Sequence, residues 1–349
     1  MKKTRKLRLK NFRGVREGEV ELGRMTVLVG ANNSAKSTVL EALFLLPNPL
    51  RQVPYVKPDE KAPLRAASLI HEIHRTLTSA GYAFLLYRYI AEKAEVSLDD
   101  TSLEFVRRGS QIYLGTNKPL PESSYLRIPE KLNIKPFGSL ATSADTIGGS
   151  DSPHSEVRIL GESLLISSEL VRHAWWYMHQ NWANIMNTGI TREVAADISR
   201  LVSEEFVNIT IEPFLGGNLS MFGFLKDGTR IRLGDLGAGV QVYITARILH
   251  EVAKPEFLLW DDVEAHMNPR MLIRAAEWFS ELVDRGVSVV ITTHSLEAAK
   301  IIGELVEDAR ICTMTLRDGK LESSELSPDE VERLLSAGID VRLADTVIV

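Results

Sequence analysis

Apolar and polar residues alternate with a period of two near the start of the chain, where Leu7 and Leu9 are interleaved with Arg8 and Lys10, and again at Glu19-Val20-Glu21-Leu22. With the turn-forming Arg13-Gly14 between them, these stretches predict a pair of short strands, each wet on one face. The pattern then changes. Met25-Thr26-Val27-Leu28-Val29 is apolar at almost every position, as expected of a strand covered on both faces. Residues 39–46 continue apolar at helical length until Pro47 and Pro49 stop them.

Order is weaker through residues 48–165. A helical segment is expected near 69–94 and short strands near 102–114, while the tract 138–155, rich in Ser and Gly and free of Lys and Arg, reads as a loop. Residues 165–207 are again helical in pattern. Strand-like runs follow at 208–214, 219–225 and 230–233, separated by Gly216-Gly217-Asn218 and Asp227-Gly228, the turn chemistry of a three-stranded antiparallel meander. The last third alternates helix and strand. A helix from about residue 239 to 253 precedes the apolar strand Phe257-Leu258-Leu259-Trp260. Asn268-Pro269 then opens a helix whose apolar positions Met271, Ala275, Trp278, Phe279 and Leu282 keep helical spacing. Residues 287–291 form a second buried strand, and 311–316 with Asp318-Gly319 predict a closing hairpin.

Composition narrows the class. With 349 residues, 44% apolar and 25% charged, the chain is globular, which excludes disordered and collagen-like proteins. No apolar run approaches the roughly 18 to 20 residues of a membrane span, and the basic start leads into a strand pattern, not a signal peptide, so a cytoplasmic protein is expected. Cys312, the single cysteine, sits in an apolar alternation and reads as a buried strand thiol. The net charge of −5 is unevenly spread. Residues 1–16 hold eight bases and no acid, whereas 321–349 hold seven acids and two bases. Two readings of the basic start stand: contact with nucleic-acid phosphates, or the solvated face of an edge strand.

The strongest chemical signal is Gly30-Ala31-Asn32-Asn33-Ser34-Ala35-Lys36-Ser37-Thr38, which lies between the apolar strand and the buried helix. It fits G-x-x-x-x-G-K-[ST] everywhere except Ala35, which stands in place of the second glycine. Backbone N–H groups of such a loop point at phosphate oxygens, Lys36 reaches the β and γ phosphates and the Ser37 hydroxyl meets Mg²⁺. A non-glycine residue at positive φ there costs on the order of 1 kcal/mol. Far along the chain, Asp261 and Asp262 end the apolar strand, placed to hold Mg²⁺ through water and to polarise an attacking water. His294 ends the next strand, where it can meet a γ-phosphate.

Asn11-Phe12-Arg13-Gly14, the phosphate loop, Leu236-Gly237-Ala238-Gly239-Val240-Gln241, the segment from Asp261 to Pro269 and Thr292-Thr293-His294-Ser295 together resemble the ABC-type ATPases of the RecF, SMC and OLD group. The resemblance covers about 1–50 and 205–320. It implies an α/β P-loop NTPase, an ABC-ATPase-like head with an antiparallel β subdomain and an inserted helical subdomain, which binds ATP with Mg²⁺ and closes into a head-to-tail homodimer. Carried over, it places Gly30, Asn32, Asn33, Ser34, Ala35, Lys36, Ser37 and Thr38 on the nucleotide and Ser37 and Asp261 on Mg²⁺. Asp262 becomes the water-activating carboxylate, His294 the switch residue, Gly237, Ala238 and Gly239 the signature that acts in trans, and Arg13 a neighbour of the nucleotide. It divides the chain into 1–47 and 208–320 as the head, 48–165 as an insertion, 166–207 as a helical segment and 321–349 as an acidic tail.

The sequence departs from that family at Ala35, at Asp262 where Glu is usual, and at Gly237 where Ser is usual. The departures favour binding and slow hydrolysis to ADP and phosphate over rapid turnover, since a base misplaced by about 1 Å loses roughly tenfold to a hundredfold. Glu264 is a substitute carboxylate or a residue of the dimer face. The family's Q-loop has no placed counterpart, Gln52 and Gln111 being its candidates. The expected setting is DNA repair or defence against foreign DNA, any nuclease or effector being a separate polypeptide, since 29 residues follow position 320. A non-hydrolysing ATP-gated scaffold and a transporter subunit are the alternatives. Trp175, Met178, Trp182 and Ile185 form a helical stripe that reads as packing, and His71 and His74 make a weak metal pair.

Overall fold

A computed structural model of the chain describes residues 4–56, 64–77, 81–109, 111–117, 134–137, 163–202 and 204–338. The tract 138–155 and the acidic residues beyond 338 lie outside them. The two N-terminal strands, β1 (Arg5–Phe12) and β2 (Val15–Leu22), pair antiparallel and lead to β3 (Met25–Val29), buried along its whole length, and then to α1 (Lys36–Leu45). A small ladder of β4 (Gln52–Val53) and β5 (Leu64–Arg65) precedes α2 (Ala66–His74). Next come β6 (Lys93–Leu98), β7 (Thr101–Arg108), β8 (Gln111–Thr116), β9 (Ile134–Phe137) and β10 (Ser163–Ile166).

Helices α3 (Ser168–Gln180), α4 (Trp182–Thr188) and α5 (Ile190–Leu201) are followed by the meander β11 (Phe206–Pro213), β12 (Leu219–Leu225) and β13 (Arg230–Arg232). The chain continues through α6 (Ala238–Ala253), β14 (Phe257–Trp260), α7 (Pro269–Asp284), β15 (Ser288–Thr293) and α8 (Leu296–Leu305). It closes with the hairpin β16 (Arg310–Arg317) and β17 (Lys320–Leu326) and with α9 (Pro328–Ser336).

Among the described residues twelve strands form one sheet in the order β10-β14-β15-β3-β16-β17-β2-β1-β6-β7-β8-β9. The first five run parallel, and β14, β15 and β3 are buried at every position, which is why each reads as a continuous apolar run. Burying each Leu, Ile or Val side chain there contributes about 1.5 to 3 kcal/mol. Asn268 caps α7 by accepting from the Met271 N–H at 3.0 Å, with Pro269 at the first turn, as its sequence predicts. Register aligns Ile166 with Trp260, Trp260 with Ile291 and Thr293 with Val29, so four parallel strands end side by side. In open α/β sheets that edge receives ligands.

Three expectations change. The basic start is not an edge strand: β1 lies between β2 and β6, and its bases meet acids across the ladders. Lys6 pairs with Glu19 and Glu21 and Arg8 with Glu19 across the β1–β2 ladder, Arg5 meets Asp99 just past β6, and Arg16, on β2, meets its own neighbour Glu17. The helix expected over 69–94 ends at His74, where Arg75 turns extended and Leu77 takes positive φ; further on, Arg88 and Tyr89 adopt positive φ in one tight turn and the alternating Lys93–Leu98 pairs with β1. The aromatic stripe spans two helices that break at Asn181. Within it Met178 and Ile185 are fully buried, and the Trp175 indole N–H donates to Thr245 Oγ1 at 3.2 Å. Cys312 is buried on β16, its thiol pushed up to about 11 by desolvation, consistent with a core residue.

Candidate functional site

The loop between β3 and α1 is shaped by close approaches. A side chain at Gly30 would lie 2.6 Å from the Met314 carbonyl oxygen and 2.7 Å from Ser34 Oγ, so only glycine fits. Asn33 and Ala35 take left-handed φ of 65° and 69°. Ala35 therefore holds the backbone shape that glycine holds without strain, and it caps α1 without a side-chain hydrogen bond. Asn32 and Asn33 are exposed at the tip, while Ser34 is buried with its hydroxyl unpartnered among the described residues. Thr38 is half-buried on the first turn of α1.

Lys36 is 5% exposed. Its ammonium donates to the carbonyls of Gly30 and Ala31, both at 2.8 Å, and lies 3.3 Å from His294 Nδ1. Because an ammonium only donates, Nδ1 accepts and the imidazole proton sits on Nε2, which is 3.4 Å from Asp262 Oδ1. Desolvation lowers the Lys36 pKa, opposed by the nearby charges of Asp262, Asp261 and Glu264. Asp261 is held from two strands and a helix. Its Oδ1 accepts from Ser37 Oγ at 3.0 Å and from Thr292 Oγ1 at 2.6 Å, and its backbone N–H donates to the Ile166 carbonyl. Burial raises the Asp261 pKa, an effect the Thr292 hydroxyl counters. Asp262 turns out of the strand at φ 49° and leaves its carboxylate half exposed.

The structure thus brings Lys36, Ser37, Asp261, Asp262, Glu264 and His294 together. Glu264 Oε1 accepts the His294 backbone N–H at 2.6 Å. Gly237 and Ala238 lie exposed at the start of α6, whereas Gly239 is packed so that a side chain would come 2.4 Å from the His266 carbonyl oxygen. Arg13 is ion-paired to Glu41 on α1, which also meets His74 Nε2. Among the described residues no three His, Cys, Asp or Glu side chains converge as a metal cage, and His74 serves Glu41. A cavity of about 820 Å³ adjoins the loop tip, lined by Asn33, Arg13, His74, Phe84, Tyr87 and Asp318 among others.

Sequence reasoning missed Thr292, whose hydroxyl donates to Asp261 while accepting the Asp262 N–H at 2.8 Å. It also missed Glu41 and Ser167. Ser167 follows β10 beside Asp261, and its hydroxyl is buried without a partner among the described residues. Neither Gln52, on β4, nor Gln111, on β8, occupies that strand end. Thr292 was legible as part of a strand-end Thr-Thr-His-Ser run; for Glu41 and Ser167 only the fold supplies the signal.

A phosphate-type loop entering a helix, with carboxylates and a histidine at the ends of adjacent parallel strands, defines a P-loop ATPase with the fold of an ABC-type head. The chain belongs to the family described as "AAA domain, putative AbiEii toxin, Type IV TA system", which it matches over residues 60–299, and residues 3–102 match an AAA ATPase domain. In fold it is similar to the Smc head bound to the C-winged helix domain of ScpA, with a TM-score of 0.55 and 14% identity over 95% of this chain and 99% of that one. It is also similar to the Pyrococcus furiosus Smc head with an extended coiled coil, with a TM-score of 0.54 and 13% identity over 97% of this chain and 99% of that one. An uncharacterised protein of Methanocaldococcus jannaschii is 50% identical over 40 residues, a match spanning 11% of this chain and 18% of that protein. No helix among the described residues is long and apolar enough to cross a membrane.

Proposed function

We propose that this ATPase binds MgATP at the loop around Lys36, hydrolyses it slowly to ADP and phosphate, and uses it to close a head-to-tail homodimer. The observation that carries the reading is the meeting of Lys36 and Ser37, at the start of the helix that follows β3, with His294 and Asp261 just past the ends of the two neighbouring strands. Ser37 and Asp261 fit Mg²⁺: two oxygen donors 3.0 Å apart, one on a buried carboxylate that a cation would stabilise. The ion, when bound, would neutralise phosphate charge. The loop N–H groups cradle the phosphates, Lys36 exchanges its carbonyl partners for phosphate oxygens, and the cavity beside Asn33, with Phe84, Tyr87 and Arg13, receives the nucleoside. Asp262 orients the attacking water and His294 senses the γ-phosphate.

In the closed dimer the exposed Gly237 and Ala238 at the α6 N-terminus face the nucleotide of the other copy. The test is phosphate release. Asp262→Asn is expected to slow it about tenfold or more with ATP binding retained; equal rates would remove Asp262 as the base.

We extend the reading to DNA, in repair or defence, on the resemblance to the RecF, SMC and OLD group alone, since Arg5, Lys6, Arg8, Arg13 and Arg16 face carboxylates. Retention of DNA on the protein in ATP, measured at several salt concentrations, checks this: binding through phosphates weakens steeply with salt, and no retention at low salt removes DNA from the account.

A further inference from the structure

The turn that follows Asp261 is fastened to the end of β15 at three successive residues. Asp262 N–H donates to the Thr292 hydroxyl at 2.8 Å, Val263 N–H to the Thr292 carbonyl at 3.0 Å, and Glu264 Oε1 accepts the His294 N–H at 2.6 Å. The last contact differs in kind. The first two hold the turn to the strand, whereas the third holds a residue beyond the strand, since the ladder of β15 with β3 ends at Thr293. The ring of that residue spans the two opposed charges of the site, with Nδ1 on Lys36 and Nε2 facing Asp262. A ring held at both nitrogens by long contacts of 3.3 and 3.4 Å depends on its backbone for exact placement. Glu264 itself is poorly set for proton transfer: Oε1 is occupied by the N–H, and Oε2 is buried with no partner among the described residues.

We propose that Glu264 is a positioning residue: its carboxylate clamps the His294 backbone and thereby fixes the imidazole between Lys36 and Asp262. The inference rests on the reading of this site as the seat of ATP. It gives Glu264 no part in moving a proton, unlike a carboxylate standing in for a base. The conservative variant separates the two, because Glu264→Gln keeps a carbonyl oxygen for the His294 N–H but cannot accept a proton as a carboxylate does.

Titration with a fluorescent ATP analogue, steady-state phosphate release and amide hydrogen exchange at residue 294 are measured on the full chain, as wild type, Glu264→Ala, Glu264→Gln and Lys36→Ala. The expected result is nucleotide affinity within about threefold of wild type for both Glu264 variants. Phosphate release falls roughly tenfold to a hundredfold in Glu264→Ala, mainly in kcat, and is largely kept in Glu264→Gln. Exchange at His294 is fast in Glu264→Ala and slow in Glu264→Gln. If Glu264→Ala does not fold, Glu264→Met, which fills the space without an acceptor, replaces it. A wild-type rate without the acceptor overturns the proposal, and so does a Glu264→Gln rate as low as that of Glu264→Ala, which would make the charge the working part. A wild type that binds the analogue no better than Lys36→Ala overturns the ATP reading first and the proposal with it.

Discussion

Lys36 keeps a charge where burial disfavours it, because three carboxylates and two loop carbonyls surround the ammonium. Replacing it removes the donors that the loop would offer to phosphate, and charge-assisted hydrogen bonds contribute about 1.5 to 3 kcal/mol each. Lys36→Ala is therefore expected to weaken ATP binding about tenfold to a hundredfold in a calorimetric titration. A second residue reports on pH. His250 is buried edge-on to Trp278, and desolvation with help from Arg247 and Arg285 lowers its pKa from 6.5 to about 4. The unfolded chain thus takes up this proton before the folded one does, so stability is lost as pH falls from about 6.5 to about 4, by on the order of 3 kcal/mol from this group. Melting curves of His250→Phe should show a shallower acid loss than wild type over that window. Parallel curves would contradict the assignment.

Elements differ in how openly their sequences declare them. β3, β14 and β15 were legible as apolar runs because both faces are covered, and the loop entering α1 was legible because phosphate binding restricts residue types at fixed spacing. The placement of β1 was not, since the strand on its far side, β6, lies far along the chain, where Leu98 pairs with Leu7. The basic start reads as free for a partner because only strand pairing shows that its bases meet acids, Glu19 and Glu21 from the neighbouring β2 and Asp99 from far along the chain. Glu41 and Ser167 were illegible because their meaning lies in what the sheet brings beside them. At the start of α6, the two glycines of the signature make a graded prediction. Gly237 has open space around it, so Gly237→Ala should change stability by less than about 0.5 kcal/mol, whereas Gly239→Ala, driven against the His266 carbonyl, should cost about 1 to 3 kcal/mol in thermal or urea unfolding. Equal effects would mean the turn after Asp262 is not packed on this helix.

Among the described residues the chemistry lies at the aligned ends of parallel strands in a twelve-stranded sheet, and a helix start, Gly237 and Ala238, faces solvent. In the proposed dimer, one copy would supply the loop, the carboxylates and the histidine, and the exposed Gly237 and Ala238 of a second copy would be brought to the phosphates. The most direct measurement is therefore mass in solution, by light scattering, with and without MgATP, on Asp262→Asn to slow turnover and on the same chain carrying Lys36→Ala as well. ATP is expected to double the mass from that of a 38.9 kDa monomer in Asp262→Asn and to leave the double variant monomeric. A mass unchanged by ATP in both, or doubled in both, would contradict that expectation.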